Sequence, residues 1–249
     1  MFKHKLKASL IHLLLSAVII SALISLMLLF WFPTSFLGVT DFKDIALILI
    51  AIDLVLGPLL TFVVFNPTKK SLKFDLSVIV TIQIIGLSYG LYMLYLTHPV
   101  YVTYYEKVFT VITAKHATPE KSKLSHYNIS KFSSPTMAYM AYDESTNNKL
   151  FNEMLDGEGE IEARVDYYQP YENHLDEILA NSLDTDKIFS ENDMSDASRE
   201  FLEKNIDIDT FAFLPLANGS SANGIIVLDR ATGKPVDLIK TSPWKYVKK

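Results

Sequence analysis

Three apolar stretches, each long enough to cross a lipid bilayer, lie within the first hundred residues of the chain. They run over residues 8–32, 45–65 and 76–96, and Asp53 is the one formally charged residue inside them. A helix needs about 20 apolar residues to span the hydrocarbon core, and three such helices would overfill the core of a soluble domain. The sequence therefore predicts a membrane protein with three N-terminal transmembrane α-helices.

The placement of lysines predicts the orientation of these helices. Six lysines lie in the N-terminal tail or between the second and third stretches, whereas the loop between the first two has only Lys43. The six are Lys3, Lys5, Lys7, Lys69, Lys70 and Lys73. Because cytoplasmic loops are enriched in lysine and arginine, we expect a transmembrane domain over residues 1–98 with a cytoplasmic N-terminus. Residues 99–249 then form an outer domain, which in a bacterium lies in the periplasm, next to the inner membrane.

The outer domain has the patterns of an α+β fold with an antiparallel sheet. Val100–Ala114 is rich in β-branched and aromatic residues, which predicts a strand that follows directly after the third apolar stretch. Gly224–Ile239 predicts a hairpin whose turn uses Gly233 at positive φ. Helices are predicted over residues 117–127, 171–181 and 195–205, the last with Ser195 as its N-cap.

The same domain gives little indication of chemistry. Residues 100–249 contain 24 acidic and 16 basic residues, and this negative balance argues against nucleic acid binding. The chain has no cysteine, and its histidines lack the spacing of a metal site. Because the sequence also lacks a nucleophile elbow and a phosphate loop, we expect no catalytic, cofactor-binding or metal-binding residues and no enzymatic activity.

Asp53 lies near the middle of the second apolar stretch, where a charged side chain costs about 2.5–3.5 kcal/mol unless it faces other helices or water. Counting 1.5 Å per residue from the cytoplasmic ends of the stretches places Ser88 and Tyr89 at the same depth. Gly57-Pro58, just after Asp53, predicts a kink. We expect these groups to form a polar seam, made of Asp53, Gly57, Pro58, Gln83, Ser88, Tyr89 and Gly90.

The polar seam has two interpretations. A hydrogen-bonded aspartate can simply fix the packing of the helices. Alternatively it marks a functional site, either for a proton or ion step or for recognition of another membrane helix. The residues alone leave both interpretations open.

The loop between the second and third stretches also has two interpretations. Asn66-Pro67 predicts a turn that ends the second helix, and three lysines follow it. In the first interpretation these lysines only determine the topology. In the second they contact anionic lipid or an acidic partner. The candidate contact residues are Asn66, Pro67, Lys69, Lys70 and Lys73.

The segments DLVLGPLLTFVVFNPTKKSLKFDLSVIVTIQ (from residue 53) and YGLYMLYLTHPVYVTYYEKVFTVITA (from residue 89) are similar to the type IV pilin accessory proteins of the TfpX/TfpZ type. The matching positions are Asp53, Gly57, Pro58, Thr61, Asn66, Pro67, Lys69, Lys70, Gln83, Tyr89, Gly90, Pro99 and Tyr101. The resemblance implies a non-enzymatic inner-membrane protein that supports type IV pilus assembly, or its balance with retraction. Its implied partners are the major pilin and the inner-membrane pilus machinery, with Pro99, Tyr101 and Tyr104 as candidate membrane-proximal pilin contacts.

A different class of function remains as an alternative. The chain could be a membrane-anchored periplasmic ligand sensor, or a small transporter subunit that uses Asp53. A sensor needs an intracellular output, and the predicted cytoplasmic segments are short. A transporter usually has more ionisable groups within the membrane than one aspartate and His12.

Overall fold

The computed structural model describes residues 1–32, 36, 40–130, 135–141, 143–157, 159–190, 194–204, 207–218 and 222–246. The chain forms two compact units. The first, called the helical unit here, consists of Met1–Phe32 and Asp41–Thr97. The second, the sheet unit, consists of Pro33–Thr40 and His98–Lys249.

The helical unit consists of three long apolar helices. They are α1 (Phe2–Phe30), a broken second helix over Phe42–Val64, and α4 (Leu72–Thr97). The second helix comprises α2 (Phe42–Ile50), a π-helical turn (Ala51–Leu56) and α3 (Gly57–Val64). It packs against both α1 and α4. In the described part of the chain, these three helices are long and apolar enough to cross a membrane, which confirms the predicted class.

The π-helical turn stands where the sequence predicts a kink. Pro58 has no N–H to donate to a carbonyl one turn earlier, and its ring crowds the preceding turn. Widening that turn by one residue avoids this conflict without ending the helix, and such π-helical turns are frequent at functional sites. Asp53 lies inside the turn, so the irregular backbone and the buried carboxylate occupy one place in the helix.

In the sheet unit, the described residues form one sheet of seven strands in the order β4-β3-β1-β2-β5-β6-β7. The strands are β1 (Pro99–Tyr105), β2 (Val108–Thr113), β3 (Thr136–Met140), β4 (Tyr168–Pro170), β5 (Phe211–Asn218), β6 (Ala222–Asp229) and β7 (Pro235–Ile239). The remaining helices are α5 (Glu144–Leu155), α6 (Leu175–Ala180), α7 (Thr185–Ile188) and α8 (Asp196–Lys204). The predicted α+β class is therefore confirmed.

The prediction of an antiparallel sheet needs correction, because the sheet is mixed. β1 pairs in parallel with β3, and β2 pairs in parallel with β5. A parallel pair needs a long crossover between its strands, and here long connections precede both β3 and β5. Strand patterns record burial rather than the direction of a distant partner, so the sequence did not reveal the parallel pairs.

Both faces of the sheet are buried. On one face, Tyr104, Phe109 and Leu214 pack with Ile178 of α6 and with Phe36. On the other, Phe213 and its neighbours pack with Ile188 of α7 and Phe201 of α8. Successive side chains along a strand point to opposite faces of the sheet, so the same strands contribute residues to both clusters.

Three local predictions in the sheet unit are confirmed and two are wrong. Gly233 has φ +69°, Ser195 Oγ accepts a hydrogen bond from Ser198 N–H at 3.1 Å, and the 171–181 region is helical, first as a 3-10 turn and then as α6. However, residues 117–127 contain two short 3-10 turns instead of a helix. Val100–Ala114 is also two strands, joined by a tight turn at Glu106-Lys107.

Candidate functional site

Asp53 is buried in the helical unit, with only 5% of its surface exposed. Its Oδ1 accepts a hydrogen bond of 3.2 Å from Nε2 of Gln83 on α4. Its second carboxylate oxygen has no hydrogen-bond partner within the described part of the chain. The interhelical bond lowers the cost of the polar group in apolar surroundings, and it leaves one acceptor for another group.

Two glycines allow the second helix and α4 to approach closely around this bond. A Cβ atom on Gly57 would lie 2.1 Å from Nε2 of Gln83, and one on Gly90 would lie 2.2 Å from Cδ2 of Leu49. Neither distance is sterically possible without a shift. Gly57 therefore creates the space in which the Gln83 amide lies beside Asp53.

Polar side chains of α1 complete the cluster from the other side. Ser9 Oγ donates to the carbonyl of Pro58 at 2.8 Å, and His12 Nδ1 lies 2.6 Å from Oγ1 of Thr61. Sequence reasoning noted His12 but did not place it in the site. The signal was available, since Ser9, His12 and Ser16 recur at helical spacing on an otherwise apolar helix.

The cluster opens into a cavity of about 460 Å³, which we call the Asp53 groove. Side chains from all three long helices line it, and most are apolar. Its polar groups include His12, Asp53, Thr61 and Gln83. The groove therefore has the character of a surface that accepts apolar side chains together with one hydrogen-bond donor.

The structure brings together part of the predicted polar seam. Asp53, Gly57, Pro58, Gln83 and Gly90 lie in the interfaces between helices. Ser88 and Tyr89 are exposed on α4 instead. The prediction placed Ser88 and Tyr89 at the depth of Asp53 because it counted from residue 76. In the structure α4 begins at Leu72, four residues earlier. Counting from the true start puts Gln83, rather than Ser88, level with Asp53.

The loop after the second helix is built by its own side chains. Asn66 Oδ1 accepts hydrogen bonds from the N–H and the hydroxyl of Thr68, at 3.2 and 2.9 Å. Lys69 forms an ion pair with Asp75. Lys70 and Lys73 are exposed, as is Pro67. The predicted contact with lipid or a partner stays a prediction, and Lys70 and Lys73 are its most accessible cations.

The three candidate pilin contacts of the sheet unit lie in its interior. Pro99, Tyr101 and Tyr104 are buried in β1, and the Tyr101 hydroxyl donates to the carbonyl of Tyr127. Burial raises the pKa of both tyrosines above their usual range. A partner would therefore meet the residues around Pro99 and Tyr101 rather than their rings, whereas Tyr104 also lines a cavity.

The described residues contain no group of three His, Cys, Asp or Glu side chains that could hold a metal ion. The arrangement in the helical unit is one of helix packing around buried polar groups. It offers a carboxylate, an amide and an imidazole at the edge of an apolar cavity.

The sequence of the chain is similar to those of known proteins. Two fimbrial assembly proteins of Dichelobacter nodosus, of serogroups E1 and I, are 25% and 24% identical to the chain over 237 residues, which is 90% of each sequence. A third, of serogroups C1 and C2, is 36% identical over 100 residues, or 39% of this chain and 76% of the relative. No family model matches the chain, and neither does any solved structure. By its similarity to these relatives, the chain belongs to the family of fimbrial assembly proteins.

Proposed function

We propose that this protein is a non-enzymatic accessory protein of the bacterial inner membrane that supports the assembly of type IV fimbriae. In this proposal it binds the fimbrial subunit, the pilin, and so sets the balance between assembly and retraction. The names of its relatives support the process. The Asp53 groove supports the mode of action, and the TfpX/TfpZ-type resemblance stays a prediction of the subfamily.

The Asp53 groove is the observation that carries the proposal. A carboxylate within the membrane is costly, and such groups usually mark a binding site, a pathway or a contact with another helix. Here one carboxylate oxygen makes no hydrogen bond to the described residues. The groove beside it is lined by apolar side chains such as Ile84, which is 58% exposed. A transmembrane helix of a partner would cover these side chains and donate a hydrogen bond to Asp53. Small and polar residues are the usual contacts between membrane helices.

The predicted topology fits this role. Phe36, between the first two long helices, is buried in the core of the sheet unit. This packing supports the predicted three crossings, which would leave Phe36 and the sheet unit on the same side of the membrane. The lysine distribution makes that side the periplasm, where the globular part of a subunit anchored in the membrane would also lie.

This topology is testable with reporter fusions. We expect a periplasmic reporter, such as alkaline phosphatase, to be active when fused after residue 249 and inactive when fused after Lys70. The reverse pattern would contradict the orientation on which the proposal depends.

The functional test is complementation of a deletion strain. We expect Asp53→Leu combined with Gln83→Leu to reduce sheared surface fimbriae while total cellular fimbrial subunit stays constant. The matched control is Ser88→Leu, an equally apolar change on the exposed face of α4. Wild-type fimbriation by the double variant, at wild-type protein levels, would refute the role of the groove.

Direct contact is tested with a photo-crosslinking residue at one of two neighbouring positions. Ile84 lines the groove, whereas Ile85 does not, and their exposures of 58% and 63% are similar. We expect a crosslink to the fimbrial subunit from position 84 and a much weaker one from position 85. Equal crosslinking from both positions would show that the groove has no special role.

A further inference from the structure

A second cavity, of about 480 Å³, lies in the sheet unit, and we call it the Tyr104 pocket. Its lining residues are Tyr104, Glu106, Lys107, Tyr139, Met140 and Glu177. They come from β1, the β1–β2 turn, β3 and α6. None of these residues lines the Asp53 groove of the helical unit.

The floor of the pocket contains stacked rings. Tyr104 and Tyr139 are stacked with their centroids 6.0 Å apart, and Tyr139 stacks on His174 at 3.7 Å with the ring planes 3° from parallel. The Tyr139 hydroxyl donates to the Glu177 carboxylate, with distances of 2.9 and 3.0 Å to its two oxygens. The stack thus holds a carboxylate at the edge of an aromatic surface.

The Tyr104 hydroxyl is the unusual group in the pocket. Tyr104 is only 2% exposed, and its hydroxyl makes no hydrogen bond within the described part of the chain. Burial and the nearby Glu177 carboxylate raise its pKa far above the usual range, whereas the Asn181 side-chain amide lies close enough to the hydroxyl to lower it. Asn181 Nδ2 donates to the carbonyl of Glu177. Buried hydroxyls nearly always have a hydrogen-bond partner. This hydroxyl is therefore suited to accept a hydrogen bond from a ligand in the pocket.

The β1–β2 turn presents two charged side chains at the pocket. Glu106 and Lys107 have φ of 48° and 66°, a conformation that glycine or asparagine adopts far more readily. Strained backbone of this kind is concentrated at functional sites. Together with Glu177, the turn gives the pocket two carboxylates and one ammonium group, so its net charge is negative.

We propose that the Tyr104 pocket binds an alkylammonium group, presented by a lysine side chain of a partner polypeptide. The Glu177 carboxylate supplies the opposite charge, the Tyr104 hydroxyl accepts one ammonium proton, and the tyrosine rings contact the alkyl chain and the cation. The negative balance of residues 100–249 attracts such a group from a distance. This inference does not depend on the role of the Asp53 groove.

The test uses the full-length chain in detergent, with n-butylammonium as the probe and n-butanol as its uncharged isostere. Saturation-transfer NMR should show saturable binding of n-butylammonium and none of n-butanol. We expect Glu177→Gln and Tyr104→Phe each to weaken binding at least about tenfold. Asp176→Asn, one residue away and outside the pocket, should leave it unchanged.

The Tyr104→Phe variant separates binding from folding. Since the hydroxyl has no hydrogen-bond partner among the described residues, its removal should leave the melting temperature unchanged or raise it. Equal binding by wild type and Glu177→Gln, or no saturable binding by wild type, would overturn the proposal. A peptide with one lysine, acetyl-Gly-Lys-Gly-amide, should bind at least as well as n-butylammonium, and its failure to bind would overturn a polypeptide source.

Discussion

The Gln83 side chain donates a hydrogen bond of 3.2 Å to Asp53, across thirty residues of sequence and between two helices. Both partners are polar groups on helices that are otherwise apolar. Each therefore depends on the other to offset the cost of its burial, and the pair fixes the register between the broken second helix and α4.

Removing one partner should cost more than removing both. We expect Gln83→Leu to lower the unfolding free energy by about 1–2 kcal/mol, because Asp53 loses its hydrogen bond while staying buried. Asp53→Leu combined with Gln83→Leu should be less destabilising than the sum of the single variants. A double-mutant cycle from denaturation in mixed detergent micelles measures this, and strict additivity would argue against the coupling.

Gly57 should tolerate no side chain, whereas Gly86 should. In Gly57→Ala the new Cβ would lie 2.1 Å from Gln83 Nε2, so the amide must leave Asp53. We expect a loss of about 1–2 kcal/mol, similar to that in Gln83→Leu. At Gly86, the nearest atom to a new Cβ is Ile52 Cγ2 at 3.9 Å.

Gly86→Ala is therefore the matched control for Gly57→Ala. Because it makes an ordinary contact and alanine favours helix, it should be neutral or stabilising. The same denaturation assay compares the two variants. A similar loss in both would mean that close approach to Gln83 does not determine the requirement for glycine.

The β1–β2 turn should be stabilised by glycine. Lys107 has φ +66°, and an L-residue in this conformation costs about 1–2 kcal/mol, which exceeds the entropic cost of glycine of about 0.5–1 kcal/mol. We expect Lys107→Gly to raise the melting temperature. Ala231→Gly, in a turn residue without positive φ, should lower it. A decrease in both variants would show that the turn at Lys107 is not strained.

The N-cap of α5 should make stability depend on pH. Hydrogen bonds from Ser145 and Thr146 hold the pKa of Asp143 below its ordinary value of 3.8. A lowered pKa in the folded state means that the contribution is complete well above 3.8 and is lost as pH falls through the folded pKa. We expect Asp143→Ala to lower the melting temperature at neutral pH, as loss of an N-cap does.

The melting-temperature difference between wild type and Asp143→Ala should then shrink as pH falls below 3.8. The control is Glu200→Ala, since Glu200 pairs with Lys204 on the surface of α8 without capping a helix, and exposed pairs contribute little. A pH-independent difference for Asp143→Ala would show that its charge does not contribute to the cap.

Which residues approach Asp53 was predictable only in part. Its position in an apolar stretch marked it as a buried group in need of a partner, and the next helix offered Gln83 as a candidate. The depth comparison selected Ser88 and Tyr89 instead, because lysines at the helix ends looked like loop residues. In the structure Lys3, Lys5 and Lys7 lie inside α1, and Lys73 lies inside α4. Long flexible side chains let helices extend past the apolar core in this way.

The turns at Gly233 and at Glu106-Lys107 also differ in how far the sequence predicts them. Gly233 marks its turn in the sequence because glycine adopts positive φ readily. Glu106 and Lys107 adopt positive φ without any such signal, and the predicted strand therefore ran through their turn. Here the pairing of β1 with β2 determines the backbone, against the preference of the residues.

The sequence by itself determined the class of this protein: three apolar helices, an acidic α+β domain, several local caps and one hairpin. These features follow from composition, periodicity and local backbone preference, which each segment carries on its own. Only the tertiary structure decided the hydrogen bond between Asp53 and Gln83, the π-helical turn, the parallel strand pairs and the burial of the Tyr104 hydroxyl. Each of these depends on which distant segments pack together, and that is set by steric fit and by the hydrogen-bonding needs of buried groups.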